Sequence, residues 1–227
     1  MPKGIPELEK DVKDKLEKVG IEMDKDKRSA IFLQVDQKVE TSSSFASDIE
    51  MIDIKKALEK YDWLHDYYWK VVSRDKDEYT KEVDVDEVNG YFIRALPGAK
   101  VNFPVEACLY LKSPKKQKVH NIIIAEEGSE LNIISGCASH PGLTTGMHLG
   151  ISEFYIKKNA KLSFTMIHNW ENNIEVRPRS AAIVEDGGTY ISNYIIMNPV
   201  KIVQMYPTVH LNGDNATAIM SSVIVAM

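Results

Sequence analysis

Five times along this chain a turn-former opens a short apolar strand, and the units recur roughly every 30 residues. The units are Gly98-Ala99-Lys100-Val101-Asn102-Phe103, Gly128-Ser129-Glu130-Leu131-Asn132-Ile133, Asn159-Ala160-Lys161-Leu162-Ser163-Phe164, Gly187-Gly188-Thr189-Tyr190-Ile191 and Asn215-Ala216-Thr217-Ala218-Ile219. A period of this size implies a solenoid, in which no unit buries its own apolar face and each needs a neighbour. Short β-branched or apolar runs at residues 122–124, 154–156, 181–184 and 208–211 lead into the turns. Each repeat therefore supplies one strand before its turn and one or two after it. A propeller blade needs about four strands in roughly 40 residues, whereas a parallel β-helix coil needs two or three. The period favours the β-helix. Equivalent positions then stack about 4.8 Å apart, and Val101, Leu131, Leu162, Tyr190 and Ala218 are the expected inward column. The run from Ser221 to Met227 is expected to be a strand whose free edge meets a partner chain or invites aggregation.

Charge divides the chain. Residues 1–87 hold 39 of the 61 charged side chains, and the rest of the chain, although longer, holds 22. The Asn89-Gly90 turn dipeptide lies at this shift. The expected organisation is a charged, mainly helical region over 1–87 and a β-helix core over 88–227. In the first region Ile5, Leu8, Val12, Leu16 and Val19 recur at helical spacing, Pro6 suits a helix start and Gly20 a stop. Ile54, Leu58, Tyr61, Leu64, Tyr68 and Val71 mark a second helical face. Ile31-Phe32-Leu33-Gln34-Val35 between them reads as a strand, and Thr41-Ser42-Ser43-Ser44 as a loop or strand end.

The net charge of -5 and pI near 5.7 argue against nucleic-acid binding. Lys115-Lys116-Gln117-Lys118 is too short to be an electrostatic footprint. No apolar run approaches the roughly 20 residues that span a bilayer, and the first residues lack the apolar stretch of a secretory signal. With only Cys108 and Cys137, the expectation is a cytoplasmic protein with free thiols.

Cys137 is the residue with most chemical interest. It sits among small neighbours in Ser135-Gly136-Cys137-Ala138-Ser139-His140, at what reads as a coil corner. A reactive thiol needs a nearby cation or imidazole to lower its pKa, and His140 or His148 could supply it. The plain alternative is a buried, inert thiol. Cys108 lies between apolar neighbours and reads as a small core residue. Cys137, His140 and His148 make only a partial zinc set, since zinc wants four ligands, so the metal assignment stays unknown. Arg177-Pro178-Arg179 could clamp an anion or pair with Glu171 or Glu175. Gly187-Gly188 and Gly213-Asp214-Asn215 are turns, since neither precedes a helix. No nucleophile elbow, HExxH or Walker sequence is present, and no catalytic residue is assigned. A carbohydrate-active β-helix lyase or hydrolase stays open by analogy of fold alone.

Several blocks resemble the core of the SufB/SufD family. They are Ile151 to Lys161, Phe164 to Trp170, Val176 to Ala181, Ser192-Asn193-Tyr194, Met205-Tyr206-Pro207 and Gly213-Asp214-Asn215. Lys56 to Leu64 and Tyr67-Tyr68-Trp69-Lys70 look like the helix before that core. The resemblance implies a right-handed parallel β-helix and a scaffold role in cytosolic iron–sulfur cluster assembly, without turnover of its own. It implies a SufC-type ABC ATPase, a SufB/SufD-type partner or a second copy, and a sulfur donor protein as partners, with a transient iron–sulfur cluster as cargo. Cys137 matches the core cysteine implicated in sulfur acceptance. Tyr206-Pro207-Thr208-Val209 lacks the cysteine some members carry there. The cluster-proximal cysteine, the partner histidine and the ATPase-binding helices correspond to positions beyond Met227, so a fragment or a shortened paralogue is expected. A structural SUF paralogue without sulfur handling is the remaining alternative.

Overall fold

The computed structural model describes residues 9–85 and 88–226. Fifteen strands are described: β1 (Ala30–Val35), β2 (Lys38–Ser44), β3 (Ile49–Asp53), β4 (Tyr91–Ala95), β5 (Val105–Leu111), β6 (Lys116–Ala125), β7 (Glu130–Ser139), β8 (Gly146–Ile156), β9 (Lys161–Asn169), β10 (Ile174–Val176), β11 (Arg179–Val184), β12 (Thr189–Ile196), β13 (Ile202–Val203), β14 (Tyr206–Leu211) and β15 (Thr217–Ile224). They form a β-solenoid of about 5 turns. One sheet runs β15-β12-β9-β7-β5-β1-β2 and the other β13-β10-β8-β6-β4-β3, with β11 paired to β8 and β14. From β4 onward every pairing is parallel, and each rung crosses the second sheet, turns, and returns through the first.

The turn-formers found in the sequence are the turns of the structure. Gly98, Gly128, Asn159, Gly187 and Asn215 have φ of 71°, 69°, 57°, 62° and 57°. Each is the third residue of a turn closed by an i to i+3 hydrogen bond, as from Ala99 N–H to Leu96 C=O and from Ala160 N–H to Lys157 C=O. Left-handed backbone at that position selects glycine or asparagine. The turns also bond to one another. Gly98 N–H donates to Glu127 C=O, Gly128 to Lys158, Asn159 to Asp186 and Gly187 to Asp214. The ladder therefore runs unbroken around this corner.

Fixed corners bring like positions into register. Leu131 aligns with Leu162, Leu162 with Tyr190 and Tyr190 with Ala218. Leu131, Leu162 and Tyr190 belong to the lumen core, and half-buried Val101 and Ala218 pack against it at the two ends of the column. The expected inward column is the observed one. Along β15, Ile219, Met220, Val223 and Ile224 are exposed. Among the described residues, β15 pairs only with β12.

The chain before residue 88 adds to the same two sheets. The strand expected at Ile31 to Val35 is β1, which pairs in parallel with β5, and β3 pairs antiparallel with β4. The Thr41 to Ser44 run lies within β2. Helix α1 (Lys10–Lys18) buries Val12 and Leu16 against the outer face of the first sheet and gives way at Gly20, φ 83°. Ile5, Pro6 and Leu8 of that pattern lie outside the described residues. A Cβ on Gly136 would stand 2.6 Å from Val19 Cγ2, so this glycine admits the end of α1 rather than marking a corner.

The second helical pattern is not one helix. Helix α2 (Ile54–Lys60) is capped by the Asp53 side chain and stops at Tyr61, whose φ of -124° and ψ of 98° are extended. A short 3-10 turn over Asp62–Asp66 follows. The apolar spacing persists because Leu64, Tyr67 and Tyr68 face the outer side of the second sheet, where Phe92, Ile122, Ile124 and Tyr155 wait. Packing on a flat sheet rewards contact, and contact does not require a continuous helix. Helix α3 (Glu78–Asp84) was not evident from spacing. It is set by a capping box between Asp77 and Thr80.

Leu162→Ala removes a fully buried side chain from the middle of the column. It is expected to lower stability by about 2–5 kcal/mol, read as a lower urea midpoint, while Leu211→Ala on the exposed part of β14 leaves the midpoint near that of the wild type.

Candidate functional site

Strand pleating decides where each cysteine goes, because successive side chains point to opposite faces. On β5, Leu109 and Leu111 face the lumen, while Cys108 and Tyr110 face outward beneath α1. Cys137 is in register with Leu109 and takes the lumen face, and its neighbour Ala138 takes the outer one. Both thiols are fully buried. Cys108 is the core residue its neighbours suggested. The small residues around Cys137 do not open it to solvent, since the pleat carries the thiol inside. Burial pushes its pKa up to about 12, and the Ser135 hydroxyl pulls the other way without overcoming that cost.

The two expected imidazoles part company. His140 Nδ1 lies 3.2 Å from the Tyr110 hydroxyl, on the outer side of the sheet from Cys137. His148 is in the lumen, with Nδ1 2.9 Å from Gln117 Oε1. Gly150 makes room for its ring, since a Cβ there would sit 2.9 Å from His148 Nε2. A third imidazole takes the place intended for His140. His168 is the register partner of Cys137 on β9, and its Nδ1 lies 3.3 Å from the Tyr194 hydroxyl. The His148 and His168 ring centres are 6.3 Å apart, and both rings pack on Trp170. The spacing from Cys137 to His168 is one repeat, so the period contained this pair. The residues around Cys137 in sequence give no sign of it.

The electrostatics are uniform. Burial lowers the His148 pKa to about 4, and it lowers His168 well below the ordinary range with help from His148. Both rings are neutral at pH 7, so neither supplies the positive charge that activates a thiol. Among the described residues, no three His, Cys, Asp or Glu side chains converge as a metal site. The lumen is polar and uncharged here. His168 Nε2 and Trp170 Nε1 are buried without a protein partner. A cavity of about 60 Å³ runs from Leu109, His148 and Met166 to Arg179, Met205 and Met220 of the last rungs, and neither Cys137 nor His168 lines it. That is room for a few water molecules or one small polar guest.

The arginines are structural. Arg177 pairs with Glu175 at 3.1 Å, one of the two partners expected, while Glu171 pairs with Lys15 instead. Arg179 is buried between the rings of Tyr79 and Tyr206, paired with Asp77 and bonded to the Gln204 carbonyl at 2.7 Å.

Residues 110–227 match the family model for the SUF system FeS cluster assembly SufBD core domain. An iron-sulfur cluster assembly SufBD family protein of Archaeoglobus fulgidus is 65% identical over 215 residues, covering 95% of this chain and 58% of that relative. A SufBD family protein of Methanothermobacter thermautotrophicus is 44% identical over 223 residues, covering 96% of this chain and 54% of its own length. The iron-sulfur cluster assembly protein SufB of Bacillus subtilis is 25% identical over 185 residues, 80% of this chain and 39% of that protein. The chain thus spans little more than half the length of the first two. No helix among the described residues is long and apolar enough to cross a membrane.

Two outcomes are expected. At pH 8, Cys137 in the folded protein should react with iodoacetamide on the order of a thousandfold more slowly than in urea, because a pKa near 12 leaves almost no thiolate; labelling at a free-thiol rate would contradict this. His148 has a folded pKa below its unfolded value, so its contribution is complete above about pH 6.5 and is lost as pH falls toward about 4. His148→Gln should make the fall of the urea midpoint across that window smaller, leaving the part that His168 contributes, and an unchanged profile would count against a buried neutral ring.

Proposed function

Because the chain belongs to the SufBD family of SUF-system iron–sulfur cluster assembly proteins, we propose that it is a β-solenoid scaffold which holds sulfur on Cys137 inside its lumen. The observation that supports this most directly is the placement of the thiol. Cys137 faces an uncharged polar layer with His168 in the next rung. In this reading the Cys137 thiolate attacks the outer sulfur of a donor persulfide. A new S–S bond forms on Cys137, the donor S–S bond breaks, and the donor leaves as a thiolate that takes up the proton Cys137 gave. Atoms and electrons balance with no further oxidant. His148 and His168 line the chamber as hydrogen-bonding groups and carry no charge into it. His140 supports the outer face from its contact with Tyr110.

A thiol with so high a pKa exchanges slowly while the lumen is closed. Opening the chamber is therefore the step that partners would control. We assign that role to a SufC-type ATPase together with a SufB/SufD-type partner or a second copy, acting in the cytoplasm with a sulfur donor protein. A cluster is cargo formed in the complete assembly. Cys137 is one ligand at most, against the four that a cluster usually takes.

The test supplies a protein persulfide donor with the ATPase and partner chain present, and maps added sulfur by mass spectrometry. Cys137 should gain one sulfur atom, Cys137→Ser should gain none, and Cys108→Ser should behave as wild type. Sulfur on Cys108 alone, or full cluster assembly by Cys137→Ser, would sink the sulfur-holding role and leave a structural paralogue.

A further inference from the structure

Among the described residues two carboxylates are buried, Glu106 and Glu153, and Glu153 is caged by backbone. Glu153, on β8, is fully buried and points to the outer face of the second sheet, away from the lumen. Its two oxygens accept the backbone N–H groups of Trp69 at 2.7 Å, Lys70 at 2.8 Å, Val71 at 2.6 Å and Val72 at 3.0 Å. His120 Nε2 closes the cage at 2.7 Å. Four successive N–H groups converge on one point because Trp69 has a left-handed φ of 58°. This makes an anion-binding nest of the backbone. For a bulky residue such backbone is strained and persists only when its surroundings impose it.

The segment that carries the nest has little else to hold its backbone. Residues 61–76 lie between α2 and α3 and join no strand. Apart from the Glu153 contacts, the Tyr155 hydroxyl donates to the Tyr67 carbonyl at 2.6 Å. The rest of the attachment is through side chains: Tyr61 bonds to Glu50 on β3, Arg74 lies 3.6 Å from Asp84, Asp75 lies 3.6 Å from Lys81, and the remainder is packing. Tyr68 stacks on His120 with ring centres 4.5 Å apart, Trp69 meets the same ring edge-on at 4.3 Å, and Tyr67 packs on Tyr155 at 4.7 Å. Underneath lies the apolar outer face of Phe92, Ile122, Ile124 and Tyr155.

We propose that residues 61–76 form a strap that detaches from and rejoins the second sheet as one unit, with the Glu153 carboxylate as its latch. All four nest N–H groups share one acceptor, so they are lost together. Without the anion they are orphaned in a dry site while the strain at Trp69 remains. A glutamine fits the space and fails chemically, because its single carbonyl oxygen cannot serve four donors and its NH₂ group opposes them. The helices on either side are tied down separately, α2 by Ile54 and Ala57 and α3 by the Asp77–Arg179 pair. Opening can therefore stay local, and it bares the apolar face of the second sheet while the lumen stays closed.

Native-state hydrogen exchange tests the idea. In the wild type, the amides of Trp69, Lys70, Val71 and Val72 should exchange through one shared opening that is far more frequent than the opening reported by Phe154 and Leu162. In Glu153→Gln the same four amides should exchange roughly 100-fold faster, with Leu162 much less affected, and Glu153→Asp should recover part of the protection. If the four wild-type amides exchange only with global unfolding, or if they keep wild-type protection in Glu153→Gln, the latch does not exist. The wild-type arm decides the matter even if the glutamine variant fails to fold.

Discussion

Everything in this molecule depends on a left-handed residue at one corner of each coil. Parallel stacking demands that each rung return to the same place above the last, because a shift of one residue would turn every inward side chain outward. Gly98, Gly128, Asn159, Gly187 and Asn215 meet that demand by making the same turn five times and bonding it to the turn in the next rung. The repeat length is nonetheless irregular, since the step from Gly128 to Asn159 is longer than the step from Asn159 to Gly187. The differences fall at the opposite corner, where β7 runs to β8 through residues 140–145 while β9 runs to β11 by way of the short β10. One corner keeps register and the other absorbs variation. The lumen columns stay aligned although the rungs differ in length.

Register fixes the chemistry as well as the packing. The step from Cys108 to Leu109 crosses the sheet, and a repeat further on it determines that Cys137 is a lumen residue. The same rule brings His168 beside Cys137 and places His140 against Tyr110. Local sequence around the cysteine is a poor guide in such a fold. Its neighbours in space come from the rungs before and after it, a full repeat away in either direction, and only alternate positions there face it.

That explains what was legible. The β-solenoid, the five turns, the inward column and the strand at Ile31 to Val35 follow from periodicity and turn chemistry, which are local signals. The family resemblance drew on the same stretch of rungs and agreed with them. The Cys137–His168 pairing was present as a repeat-length spacing and went unused. The run from Ile54 to Val71 misled because an aromatic segment lying on a flat apolar face shows the same spacing as an amphipathic helix. The extended backbone at Tyr61 and the left-handed one at Trp69 left no mark on the pattern. Glu153 was not legible at all. Its partners are backbone amides, and any sequence supplies those.

Glu153 and Cys137 show two ways of treating a buried ionisable group, on opposite faces of the solenoid. Desolvation disfavours the charged form of both. At Glu153 that cost is met by four N–H groups and a histidine, and the carboxyl stays ionised with its pKa held below the ordinary value. At Cys137 only the Ser135 hydroxyl opposes it, and not by enough, so thiol and imidazoles all stay neutral. The outer site uses a charge to hold backbone in place, and removing that charge costs structure. The lumen has no charge to lose and can admit a neutral thiol or a sulfur atom without a counterion. Placing an anion on Cys137 requires either water or a cation to come with it.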